Sequence, residues 1–142
     1  MIDPQFSRWD NFFLREMFVT RQSVYKPDTK GFSQILFDEF LADPQRDQLF
    51  EEICLTLDAA QKIRDKFGQP LTITSGYRSE RLNRIIKDSA PNSYHKQGKA
   101  IDFAIAMHPP WQVRRRLKDW EGGMGAYATF THLDRGPKRR WS

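Results

Sequence analysis

From Leu49 to Phe67 the apolar residues Leu49, Phe50, Ile53, Leu57, Ala60, Ile63 and Phe67 recur at helical spacing. That pattern draws one stripe along an α-helix. Asp43-Pro44 ahead of the run supplies an N-cap and a proline at the first helical position, and Gly68 behind it supplies a stop. A stripe of this length must be covered, and the chain carries alternating segments to cover it. In "LTITS", residues 71–75, Leu71 and Ile73 share a face; in "KAIDFAIA", residues 99–106, Ile101, Phe103 and Ile105 do. Helix stripe and strand faces together predict an α+β fold, a small mostly antiparallel sheet backed by helices.

The remaining elements follow the same rules. "FSRWDNFFLREMF" reads as a short helix capped at Ser7, and residues 21–31 as a loop. Ser79 caps a helix carrying Leu82, Ile85 and Ile86. Pro109-Pro110 opens another, running through Val113, Leu117 and Trp120 to a stop at Gly122-Gly123. "AYATFTHLD", residues 126–134, is the last strand, with Phe130, His132 and Asp134 on one face. With 142 residues and no repeat or linker, a single domain over 1–142 is expected.

Composition removes several classes. Apolar residues make up 39% and aromatic residues 13%, which excludes a disordered chain. No apolar run approaches the ~20 residues of a membrane span. "MIDPQFSRWDNFF" lacks the basic start and apolar run of a secretory signal, so synthesis in the cytoplasm without a signal peptide is expected. Cys54 is the single cysteine and reads as a helix-core residue. The excess of 23 basic over 18 acidic residues, +5, favours an anionic partner. "RRR" at 114–116 and "PKRR" at 137–140 read as a solvated helix face and a solvated tail. No nucleic-acid reader motif accompanies them, so nucleic acid is not an expected partner.

The chemistry gathers around "SYHKQGKAIDF", residues 93–103. Asp102 points away from the Ile101, Phe103 and Ile105 face, toward a side lined by Ala100 and Ala104. A carboxylate buried there without a partner would be expensive, and a metal is one way to satisfy it. His95 stands in the loop before the strand, and Gly98 and Ala100 leave room for a close approach. His132 would complete two imidazoles and one carboxylate, a zinc set with its fourth position open. Spacing alone leaves the alternative of histidines satisfied in a core or on a surface. His108, beside two prolines, is read that way.

"SYHKQGKAID" carries the pattern Ser-x-His-x-x-Gly-x-Ala-x-Asp and resembles the motif of the zinc D-alanyl-D-alanine peptidases, the group that includes hedgehog signalling domains. "LTITSGYRSERLN", residues 71–83, is similar to the segment preceding that motif. "GGMGAYATFTHLDRGPKRRW", residues 122–141, resembles the closing segment of short bacterial and phage members, and "NFFLREMF" their N-terminal entry. The resemblance implies a hedgehog-like peptidase fold holding Zn2+ through His95, Asp102 and His132. It implies that Arg78 faces a substrate carboxylate or a developing oxyanion, the alternative being an ion pair within its loop. Ser93 and Gln97 would bind peptide groups, a cap or turn role being the alternative for Ser93.

One departure stands out. Larger relatives carry an acidic general base three residues before the last histidine, where this chain has Thr129. Other relatives carry a histidine where it has Phe130. Asp134, about 7 Å along the strand from His132, would either take the proton or orient His132. Glu121 is the other candidate base. The expected activity is hydrolysis of peptidoglycan stem peptides or cross-links, as a carboxypeptidase or an endopeptidase. It is expected at the cell wall or in the periplasm, in phage lysis or as part of a virion. A non-catalytic zinc-holding wall-binding module is the alternative.

Overall fold

The computed structural model describes residues 1–87 and 89–142. Its helices are α1 (Gln34–Leu41), α2 (Arg46–Phe67), α3 (Glu80–Ile85) and α4 (Pro110–Arg116). Its strands are β1 (Leu71–Ser75), β2 (Ala100–Ile105), β3 (Gly123–Ala126), β4 (Thr131–Asp134) and β5 (Arg139–Trp141). They form one sheet in the order β1-β2-β4-β3-β5, antiparallel throughout except for the β3–β5 pair. This is the expected α+β arrangement. Among the described residues, no helix is long and apolar enough to cross a membrane.

The stripe of α2 is buried from Leu49 to Phe67 apart from the half-buried Phe50, together with Cys54, and packs against β2. The same core takes Leu71 and Ile73 of β1, Ile101, Phe103 and Ile105 of β2, Met124 and Leu133. Gly68 closes α2 in the left-handed conformation, φ 65°, its N–H on the Arg64 carbonyl at 2.9 Å. The helix starts at Arg46 rather than Pro44. Asp43 Oδ1 accepts the Gln45 N–H at 2.8 Å and its carbonyl accepts the Arg46 N–H at 3.0 Å, so it caps a turn leading into the helix.

The N-terminal segment departs from expectation. Only the 3₁₀ turn Leu14–Met17 is helical. Phe12, Leu14, Met17, Phe18 and Val19 are all buried, a set that fits no single helical face. Ser7 braces a loop instead, donating to the carbonyls of Trp9 and Phe12 at 2.9 and 2.6 Å. The 21–31 loop contains one 3₁₀ turn, Ser23–Tyr25. Helix α1 was not anticipated, although Ser33 caps it by accepting the Leu36 N–H at 3.1 Å. Its Phe37 and Phe40 meet Phe18 at ring separations of 5.0 and 5.1 Å, and Phe40 meets Tyr77 at 5.7 Å. This cluster fixes the chain just beyond β1.

Three further elements differ. Helix α4 ends at Arg116, and Trp120 lies beyond it with its indole N–H on the Asp134 carbonyl at 3.0 Å. The anticipated last strand divides into β3 and β4 around a turn at 127–130. Residues 139–141 are not a solvated tail but strand β5. Arg140 Nη1 there donates to the Gly122 carbonyl at 2.7 Å. Within 114–116, Arg115 and Arg116 are exposed as expected, Arg116 lying 4.1 Å over the Phe67 ring. His108 is half-buried, edge-on to Phe67 at 5.1 Å, apart from any site.

Candidate metal centre

Asp102 of β2 and His132 of β4 are direct partners across an antiparallel ladder. Their side chains therefore stand side by side on the face opposite the core. His95 reaches them from the 3₁₀ turn Tyr94–Gln97, where Ser93 Oγ accepts the His95 N–H at 3.2 Å. That turn closes at Gly98, φ 72°, whose missing Cβ would lie 2.8 Å from Ile53 Cγ1 and 3.3 Å from the Leu49 carbonyl. The room expected at Gly98 thus serves α2, not the metal. Thr56 Oγ1 of α2 donates to the Gly98 carbonyl at 2.7 Å, so the long helix anchors the turn that aims His95.

His95 Nε2 and His132 Nδ1 lie 3.3 and 2.9 Å from Asp102 Oδ1. The three ligand atoms fall within 4.8 Å of one another. Each imidazole holds its other nitrogen elsewhere. His95 Nδ1–H donates to the Gly76 carbonyl at 2.7 Å, and His132 Nε2–H to Asp134 Oδ2 at 2.9 Å. Such bonds fix tautomer and ring orientation, leaving one nitrogen of each ring free to ligate. The three residues are 2%, 7% and 9% exposed, yet all border an open cleft of about 600 Å³. Two imidazoles and a carboxylate facing open volume fit zinc with a vacant fourth position.

The electrostatics agree with a site built for a cation. Burial raises the Asp102 carboxyl, but His95 and His132 outweigh it and hold the group well below the usual carboxylate range. Burial lowers the His95 imidazole, keeping it neutral as a ligand must be. Burial also opposes charge on His132, but Asp102 and Asp134 prevail and raise it.

A second layer crosses the sheet over glycines. One row runs Asp102, His132, Gly125, Trp141 from β2 to β5, and the next Ala100, Asp134, Gly123, Arg139. With no side chain at Gly123 or Gly125, the β5 side chains reach across β3 on this face. Trp141 packs on the His132 ring at 5.1 Å. Arg139 Nη2 bonds Asp134 Oδ2 at 2.8 Å and its Nη1 bonds Oδ1 at 3.3 Å. The Gly123 and Gly136 N–H groups add bonds to Oδ1 at 3.2 and 3.0 Å. Asp134 is 1% exposed, and against its burial His132, Arg139 and Gly136 keep it strongly ionised.

Among the other anticipated residues, Arg78 borders the cleft, its Nη2 on Asp102 Oδ2 and its Nε on Ser75 Oγ, at 3.3 and 3.2 Å. Ser93 borders the cleft while capping the His95 turn. Gln97 does not reach it; it lines a separate groove with Asp43, Gln48 and Glu52. Glu121 and Thr129 are exposed and outside the cleft lining. Sequence reasoning missed Arg139 and Trp141. Their signal was the alternation Gly123-Met124-Gly125, a strand with one empty face.

The model of the Peptidase M15 family matches residues 33–134. The chain is 34% identical over 125 residues to the probable peptidoglycan L,D-endopeptidase MepK of Haemophilus influenzae, a match covering 79% of this chain and 67% of that protein. It is 36% identical over 80 residues to the peptidoglycan L,D-endopeptidase MepK of Escherichia coli, covering 51% and 44%. The chain thus spans two-thirds of one relative and under half of the other. The matched region contains all three metal-facing side chains, and on that footing the chain belongs to the M15 family of peptidases.

Proposed function

We propose that residues 1–142 form one zinc peptidase domain that hydrolyses peptide bonds in peptidoglycan stem peptides or cross-links. The observation that carries this reading is the buried His95, Asp102 and His132 cluster at the floor of an open cleft. The kinship with MepK proteins, named as peptidoglycan L,D-endopeptidases, supplies the substrate class. His95 Nε2, His132 Nδ1 and an Asp102 oxygen would hold the zinc. Zinc bound there supplies Lewis-acid polarisation of a carbonyl and acidifies a coordinated water.

The protein groups divide the remaining work. Arg78 pairs with Asp102, fixing that ligand, and borders the cleft where a substrate carbonyl or carboxylate would lie. A guanidinium so placed stabilises negative charge as it develops. Ser93 holds the His95 turn from the cleft wall. Asp134 acts through His132 rather than as general base. In support, both its oxygens are engaged by His132, Arg139 and backbone N–H groups.

Purified peptidoglycan incubated with the zinc-loaded protein should yield new muropeptides by mass spectrometry. Chelation and His95→Ala should each abolish them. The second reading, a wall-binding module without hydrolysis, is favoured by the commitment of both cleft carboxylates. Binding to peptidoglycan with no change in its muropeptides would establish it. The finer proposal of a phage lysis or virion setting rests on the net charge of +5, which favours anionic walls, and lysis of permeabilised bacteria by added protein tests it.

A further inference from the structure

Tyr127 opens the turn between β3 and β4 and borders the metal cleft. Its ring stacks on Phe130 at 4.5 Å and 8°. Trp141 Nε1–H donates to its phenol oxygen at 3.1 Å, while the Trp141 ring packs on the metal-facing His132. An indole N–H can only donate, so this bond occupies a lone pair of the phenol and leaves its own O–H hydrogen free. Among the described residues that hydrogen meets no acceptor, and Tyr127 is exposed at the border of the cleft. A rigid aromatic held through its acceptor lone pair at the border of a binding cavity keeps its O–H available to donate to a ligand there.

The rest of the cleft shows what that ligand group is. Asp102 faces the two imidazoles and Arg78, and Asp134 faces His132 and Arg139, so neither carboxylate is an open acceptor for a free phenol. Arg78 already gives Nε and Nη2 to Ser75 and Asp102. A peptide carbonyl over the ligand cluster would therefore meet a partly committed guanidinium and, at Tyr127, a hydroxyl held rigidly by its ring stack and by Trp141. We propose that Tyr127 is a catalytic residue of the peptidase, its O–H donating to the scissile carbonyl oxygen as charge builds on it, with Trp141 positioning the phenol. The step is a hydrogen bond that strengthens, with no proton transferred. It rests on the peptidase reading and adds a second donor to Arg78.

Tyr127→Phe keeps the ring and its stack on Phe130 and removes only the hydroxyl. With the zinc-loaded protein acting on purified muropeptides, it should lower kcat roughly 10²-fold, the usual loss for one oxyanion donor. KM, zinc content and melting temperature should stay near wild type. A phosphinate analogue of the cleaved peptide, which mimics the tetrahedral state, should bind more weakly by a factor that tracks kcat/KM. Trp141→Phe, lacking the indole N–H, should shift kcat the same way by less. Wild-type kcat in Tyr127→Phe, or an effect confined to KM, would overturn this inference and leave the peptidase reading intact. A zinc-loaded wild type that cleaves no muropeptide and binds no phosphinate would overturn both.

Discussion

Asp134 Oδ2 accepts the Nε2–H of His132 at 2.9 Å, on the ring edge opposite the nitrogen that faces Asp102. A carboxylate there raises the basicity of the ligating nitrogen and fixes its direction. Asp134→Asn should therefore weaken zinc affinity by about 10–100-fold, with activity restored by excess metal. Chelator-competition titration and zinc-saturated turnover measure the two separately. Turnover lost at full zinc occupancy with unchanged affinity would make Asp134 the general base instead.

Gly125→Ala tests the layer above it. An added Cβ would stand 2.5 Å from Trp141 Cε2 and 2.6 Å from its Nε1. The indole must leave the His132 ring, and zinc affinity should fall by roughly tenfold. The Trp141 indole resonance should move in the nitrogen–proton NMR spectrum. An unshifted resonance with wild-type affinity would show that the row across β3 is dispensable.

Arg78→Ala should lower turnover by about 10²–10³ while the protein still binds one zinc. The metal itself takes over the stabilisation of Asp102 that the guanidinium provides. A variant of full activity but clearly lower melting temperature would reduce Arg78 to an ion pair with Asp102.

Glu39 of α1 ties three elements together, accepting from Ser79 Oγ at 2.6 Å, Tyr25 Oη at 2.8 Å and Arg81 Nη1 at 3.2 Å. Burial pushes its carboxyl up, but Ser79, Tyr25 and Arg81 outweigh it and the group sits below its ordinary value. A depressed carboxyl adds stability above its unfolded pKa of about 4.3 and loses it as pH falls through the folded value. The melting temperature of the wild type should therefore drop more steeply on acidification below about pH 5 than that of Glu39→Gln. Parallel curves would mean that ionisation of Glu39 contributes nothing.

The sequence made the interior of the molecule legible because periodicity reports burial. The stripe of α2, the alternation of β1 and β2 and the Ser79 cap all appear where spacing placed them. The metal-facing residues were legible through the motif around His95 and Asp102, spacing alone showing only that Asp102 leaves the apolar face of its strand. What spacing concealed were features set by non-local contacts. Ser7 turned out to hold a loop because Phe12, Leu14 and Phe18 find partners in different directions. Gly122-Gly123 read as a helix stop, yet Gly123 leaves the space through which Arg139 reaches Asp134. Arg139 itself resembled a solvated cation, because a charge cluster carries no mark of the strand it will join. Gln97 fell outside the cleft because the turn at Gly98 directs it toward α2.

The pairing of Asp102 with His132 across β2 and β4 makes the metal site a reader of strand registration. Sliding β4 by one residue would turn His132 inward and bring Leu133 out, leaving no second imidazole for the ion. Only the correctly zipped sheet presents all three ligands, so binding free energy favours that pairing. In a cell supplied with zinc, the ion would thus act as an inspector of assembly, retaining chains whose strands are aligned and leaving misaligned ones to unfold again.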